Sequence, residues 1–178
     1  MAGIIKVNQY QDFNGNTLFT SDGNGNLTAQ NLNKPAFSAR LSANQSLSNA
    51  TLTKVQYDIE EFDTDNCYDT SNYRFTIPSN GAGKYLISFS NYLKAESLTA
   101  FNFGDCELRK NGTKIDDSFV DMRNGGDGHQ FQIGKTHFLD LADGDYLEVF
   151  ARINVSSGNL RVEGGTHLSV FMGMRIGS

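Results

Sequence analysis

The 178-residue chain is 38% hydrophobic, with 18 glycines, 2 prolines, no tryptophan and a formal net charge of −5. Those totals allow one ordinary domain plus an extension and favour strands and turns over a helical bundle. Lys and Arg form no stripe able to neutralise phosphates, which disfavours nucleic-acid binding, and no apolar stretch is long enough to span a membrane.

The chain begins MAGIIKVNQY, which lacks both the apolar core and the small-residue cleavage site of a signal peptide. IIKVNQY reads as a short strand. Next comes FNGNTLFTSDGNGNLTAQN, Phe13 to Asn31, which repeats Asn-Gly-Asn ten residues apart. Its Asn and Gly residues tolerate positive φ, so it reads as tight turns between short extended pieces. Residues 1–33 hold too few apolar side chains to fold alone and need a partner surface or copies of themselves.

From Lys34 the pattern becomes a succession of strands. AFSARL places Phe37, Ala39 and Leu41 on one side. SANQSLSNATLTK is polar and reads as loop, with room for a short strand. VQYDIEEF sets Val55, Tyr57 and Ile59 against Gln56, Asp58 and Glu60, and YRFTI groups Tyr73, Phe75 and Ile77. KYLISFSNYLKA opposes Tyr85, Ile87 and Phe89 to Leu86, Ser88 and Ser90. Asn111-Gly112 in CELRKNGTKI supplies the two positive-φ residues of a type I′ hairpin. HQFQIGKTHFLDL is strand-like with a kink expected at Gly134. DYLEVFARINV aligns Leu147, Val149, Ala151, Ile153 and Val155, NLRVEG is short, and THLSVFMGMRI aligns Leu168, Val170, Met172, Met174 and Ile176. Roughly ten short strands with intervening turns predict an all-β sandwich or barrel. An interior this sparse is expected to become adequate only on assembly.

Chemistry is thinly signalled. The densest acidic cluster holds Asp58, Glu60, Glu61, Asp63, Asp65 and Asp69. Calcium prefers several oxygen ligands, so Asp63, Asp65 and Asp69 are the metal candidates. The EF-hand pattern fails there, because Cys67 takes the fifth position and no Gly follows. A solvated loop is the expectation, with no cofactor. His129, His137 and His167 make no zinc motif. No G-x-S-x-G elbow occurs, GAGKYL lacks the spacing of a phosphate loop, and nothing singles out one pair of carboxylates, so an enzyme is not expected. Cys67 and Cys106 read as reduced, partly buried thiols, with a structural disulfide as the alternative. Tyr92, Phe101, Phe103 and Phe119 stand outside the expected core as receptor-contact candidates. The alternative is that they seal a subunit interface or the sandwich end.

About residues 34–177 resemble the globular head of complement C1q, a jelly roll of the tumour-necrosis-factor superfamily. The resemblance rests on KPAFSARL, then on NCYDTSNYRFTIPSNGAGKYLISFS, with Asn66, Tyr68, Asp69, Phe75, Pro78, Gly83, Tyr85 and Phe89 in the family's order. LRKNGTKI, LDLADGDYLEVFA and FMGMRIG complete it. It implies an antiparallel jelly-roll β-sandwich over residues 34–178, with Phe75, Tyr85, Phe89 and Phe171 inward and a turn at Gly144. It further implies a homotrimer packed by its sheet faces around a three-fold axis, used for recognition and without shared catalytic residues. The collagen repeat that usually precedes such heads is absent.

IKVNQYQDFNGNTLFTSDGNGNLT, Ile5 to Thr28, resembles the N-terminal segment of bacteriophage tail-fibre proteins. That resemblance implies a virion protein, assembled in the host cytoplasm. Residues 1–33 would attach to other virion proteins through Ile4, Ile5, Val7, Leu18, Phe19 and Leu27, and the head would touch a glycan or protein receptor on the host surface. The alternatives are a capsid decoration protein and a secreted, non-viral C1q-like binding module.

Overall fold

The computed structural model describes residues 7–29, 34–96, 101–123, 129–166 and 168–177. Ile4, Ile5, His167 and the expected boundary at residue 33 lie outside them. The chain divides into two compact units, Met1–Leu32 and Asn33–Ser178. No residue described is helical.

The first unit is a three-stranded antiparallel meander of β1 (Gln9–Gln11), β2 (Thr17–Ser21) and β3 (Leu27–Ala29). Its two connections are the same turn built twice, DFNGN and DGNGN. In the first, Asp12 accepts hydrogen bonds from the N–H groups of Asn14 and Asn16 and from the Asn16 side-chain amide, at 2.9, 2.8 and 2.9 Å. In the second, Asp22 accepts from the N–H groups of Asn24 and Asn26 and from the Asn26 amide, at 2.7, 3.1 and 2.7 Å. Gly15 and Gly25 take φ of 82° and 92°, where a Cβ would be strained. Tyr10 stacks on Phe19 at 4.4 Å, while Val7, Leu18 and Leu27 stay exposed and Phe13 is wholly so. The turns are therefore well made and the apolar side chains poorly covered.

Those turns make the meander acid-sensitive. The Asn16 and Asn26 side-chain amides, helped by backbone N–H donors, hold the Asp12 and Asp22 carboxyls below their ordinary 3.8. A carboxyl depressed in the folded state lends its full stability above the unfolded pKa, and that stability is lost as pH falls through the folded value. Acidification below 3.8 is expected to expose the amides of Asn14, Asn16, Asn24 and Asn26 to exchange. Hydrogen exchange followed by mass spectrometry checks this, and Asp12→Asn should remove the transition from the first turn only.

The second unit is a sandwich of two sheets. One has the order β5 (Gln45–Leu47), β15 (Leu160–Val162), β10 (Gly83–Ala95), β16 (Val170–Gly177), β4 (Ala36–Arg40), β7 (Ile59–Asp63), with β13 (Gln130–Leu141) on the other edge of β10. The other runs β12 (Thr113–Asp121), β11 (Phe101–Lys110), β14 (Tyr146–Val155), β9 (Arg74–Thr76), β8 (Tyr68–Asp69), with β6 (Thr53–Lys54) also on β14. All pairings are antiparallel. The β11–β12 hairpin turns at Asn111 and Gly112, with φ of 53° and 79°, the type I′ geometry that suits the strands' twist. Gly144 sits at φ 82° in the turn before β14.

Period-two patterning fills the interior. Tyr85, Ile87, Phe89, Leu93 and Ala95 of β10 face Cys106 and Leu108 of β11 and the stripe Leu147, Val149, Ala151, Ile153 and Val155 of β14, all buried. Phe37 is the hub. Its ring centre lies 4.3 Å from Phe75, 5.2 Å from Tyr68 and 4.9 Å from Phe171, the last edge-on. Large flat side chains concentrate buried area, so few residues suffice. The interior thus closes within one chain, and the expectation that it needs assembly is corrected. A buried polar line crosses it. The Tyr57 hydroxyl donates to Asn91 Oδ1 at 2.8 Å, the Asn91 amide reaches Cys106 Sγ at 3.6 Å, and the Tyr68 hydroxyl donates to the Tyr57 carbonyl at 3.0 Å.

Three local expectations need correction. Val55 and Tyr57 are buried as read, but the strand begins only at Ile59. Tyr73 does not join Phe75 and Ile77 on a strand face; it takes φ 51° and ends the turn before β9. Gly134 marks no kink, because β10 and β13 pair without interruption from Gly83↔Leu141 to Lys94↔Gln130. A Cβ there would lie 2.5 Å from the Phe89 carbonyl oxygen, so the glycine permits close backbone approach.

Both cysteines are free and buried. Burial pushes the Cys106 thiol up to about 12. It raises Cys67 further, where the thiol also donates to Asp63 Oδ1 at 3.0 Å. Neither therefore offers thiolate at neutral pH. Ellman's reagent should find no reactive thiol in the native protein and two after guanidinium unfolding; a disulfide would leave both values at zero.

Candidate self-association face and surface sites

The outward positions of the larger sheet can be followed row by row through its register. Ser38, Met172, Ser88 and Thr136 lie side by side across β4, β16, β10 and β13, with Phe62 of β7 beside Ser38. The next row is Ala36, Met174, Leu86 and Phe138. Phe138 is 76% and Phe62 52% exposed, and Met172, Met174 and Ile176 are exposed too. Between Phe62, Leu86, Met172 and Met174 lies an apolar hollow of about 210 Å³. Charge stands at the margins, as Lys84 opposite Asp140 and as the Arg40–Glu61 ion pair. An apolar centre with a charged rim is the anatomy of a protein contact rather than of a solvated sheet face. The signal was present in the alignment Val170, Met172, Met174 and Ile176, but alternation alone does not say which face of a strand is inside.

The receptor-contact candidates separate. Phe101 is buried and packs on Phe131 with ring centres 4.7 Å apart, so its placement outside the core is corrected. Tyr92 lies on the outer face of β10, opposite Gln132. Phe103 and Phe119 meet 5.7 Å apart on the outer face of the other sheet, beneath the guanidinium groups of Arg123 and Arg152, at 5.6 and 5.4 Å from the Phe103 ring. The four therefore form no single patch.

The metal candidates do not converge either. Asp63 accepts from the N–H groups of Asp65 and Tyr68 at 3.1 and 2.7 Å, Asp65 takes the Thr64 hydroxyl, and Asp69 caps Ser71 and Asn72. Among the described residues no group of three His, Cys, Asp or Glu side chains could hold a metal ion. Of the leader contacts, Phe19 is partly covered by Tyr10, and Val7, Leu18 and Leu27 are exposed.

In fold the chain is similar to the globular domain of zebrafish complement 1qA protein, at 15% identity over 80% of this chain and 98% of that one, with a TM-score of 0.56. It is likewise similar to the Eiger TNF of S. frugiperda, at 10% identity over 80% and 93% with a TM-score of 0.54. Murine APRIL gives 12% identity over 79% and 98%, and a TM-score of 0.56. No protein-family profile matches the chain, and no curated protein matches it in sequence. The fold is an antiparallel jelly-roll β-sandwich of the C1q/TNF type.

Proposed function

We propose that this protein is a homotrimeric recognition head that binds a surface ligand without catalysis. The observation that carries the proposal is the apolar outer face centred on Met172 and Met174, which one chain leaves uncovered. Three copies packed by that face around a common axis cover it, and β-sandwiches of this fold offer a flat sheet for the purpose. The charged margins then set register and exclude wrong partners.

In its finer form, the proposal makes the head part of a virion fibre. Residues 1–33 anchor it to neighbouring virion proteins, and residues 34–178 meet a receptor on the host surface. The meander supports this reading: its turns are fully wired while its apolar side chains await cover, as expected of a segment that is completed by neighbours. Electron microscopy of particles labelled with antibody against residues 34–178 tests it. Label projecting from the particle surface is the expected result, and unlabelled particles beside free antigen would remove the virion role.

A further inference from the structure

A second hollow, of about 190 Å³, opens beside the loop that leaves β4. Its walls mix polar groups, from Ser42, Asn44, Gln45, Gln56 and Asp58, with the apolar Leu41 and Ala43, and Tyr73 stands at one side. That volume admits one sugar-sized ring and is too small for an extended apolar ligand.

The walls are held in place. Asp58 Oδ1 accepts the Ser42 N–H at 2.7 Å, and Oδ2 accepts the Ser42 hydroxyl at 2.5 Å. One lone pair on each oxygen is thus used and the other remains for a ligand. Partial burial works against the Asp58 charge, but the two Ser42 donors outweigh it and keep the carboxyl below its ordinary range. The Gln45 amide is clamped from both sides, its oxygen accepting the Gln56 N–H at 2.9 Å and its nitrogen donating to the Lys54 carbonyl at 2.8 Å. Asn44 Oδ1 accepts the Gly164 N–H at 3.1 Å. Fixed acceptors and donors around a small hollow lower the ordering cost of binding.

Tyr73 is the odd residue. Among the described residues other than glycine, positive φ elsewhere falls to Asn66, Asn80 and Asn111, whose short polar side chains suit it, and to Ala50. Turn chemistry gives no reason to place a tyrosine there, and a ring at φ 51° is held against a steric penalty. What the penalty secures is an aromatic ring at the side of a polar hollow. A flat apolar surface beside a ring of hydrogen-bonding groups suits a pyranose, which has an apolar C–H face and a polar edge. The ionised Asp58 has no Lys or Arg beside it in the lining, and Arg40 acts on it only from outside, so the hollow favours neutral sugars over acidic ones.

We infer that the hollow bounded by Ser42, Gln45, Gln56, Asp58 and Tyr73 is a binding site for one neutral pyranose residue of a glycan, with Tyr73 as its stacking surface. The inference deepens the recognition role proposed above and rests on it.

Saturation-transfer and amide-shift NMR on the full chain, first sized by sedimentation, tests the site with methyl α-mannoside, methyl β-galactoside, methyl β-N-acetylglucosaminide and 3′-sialyllactose. At least one neutral glycoside should bind and shift the amides of residues 42–45 and 56–58, and sialyllactose should not. Tyr73→Gly should weaken binding by about tenfold or more. It should also leave the melting temperature equal or higher, because it relieves a left-handed tyrosine; a turn residue without a binding role would show only the second effect. Asp58→Ala, a surface change, should lose binding equally. Shifts centred elsewhere, or full binding by Tyr73→Gly, would overturn the site. A trimer that binds none of the glycosides overturns the site and leaves the trimeric reading standing; a monomer that binds one supports the site and overturns the trimer.

Discussion

Met172→Glu is expected to turn the proposed trimer into folded monomers. Met172 lies at the middle of the outer face, flanked by Ser38 and Ser88 in its row and by Met174 and Leu86 in the next. In a single chain the side chain is exposed, so the glutamate stays in water and the monomer keeps its sandwich. In the assembly each protomer would carry an unpaired carboxylate into an apolar contact. Leaving such a charge uncompensated costs about 3–5 kcal/mol, two to three orders of magnitude or more in association. Sedimentation velocity at micromolar concentration reads the loss, and circular dichroism should retain the β spectrum. A variant that still sediments as the parent would place the contact elsewhere.

The second large effect belongs to the interior. Phe37→Ala should destabilise the sandwich by about 3–5 kcal/mol, because a fully buried ring is replaced by a cavity in a packed cluster. Phe75, Tyr68 and Phe171 all contact that ring and cannot collapse onto alanine without leaving their own strands. For a domain of this size the melting temperature should fall by roughly 10 °C. Phe119→Ala is the contrast: its half-exposed ring sits outside the cluster, and the change should be within about 1 kcal/mol. Thermal melts of both variants separate a hub from an ornament.

Much of this fold could be read from alternation. The buried stripes Tyr85–Phe89 and Leu147–Val155, and the Asn111-Gly112 hairpin, follow from side-chain period and turn chemistry, which are local. What failed was tertiary. Phe101 has the composition of a surface aromatic beside Asn102 and Phe103, yet it is buried against Phe131 of β13, a partner thirty residues away. Gly134 looked like a break because the reason for it, the Phe89 carbonyl, lies on another strand. Tyr73 fitted the alternation of YRFTI, and only the turn capped by Asp69 takes it off the strand. The exposed apolar face was visible as a stripe of methionines, and the burial of Phe171 on the opposite side of the same strand turns that stripe outward. The polar hollow was invisible, since Ser42, Gln56 and Tyr73 belong to three separate segments.

The composition also takes on a different meaning. A chain with so few aliphatics fills its sandwich by clustering Phe37, Tyr57, Tyr68, Phe75, Tyr85, Phe89 and Phe171 in one place. Assembly is then not needed to complete the interior. In the proposed trimer, assembly would instead cover Phe62, Phe138, Met172, Met174 and Ile176, and would present three copies of any ligand site, where linked weak contacts gain avidity.

The mass of the full chain in solution bears most directly on all of this. Sedimentation equilibrium at micromolar concentration should return about three times the 19.6 kDa chain mass, falling toward the chain mass for Met172→Glu. A parent protein that holds at 19.6 kDa, well folded, with its methionine face left in water, would contradict the account.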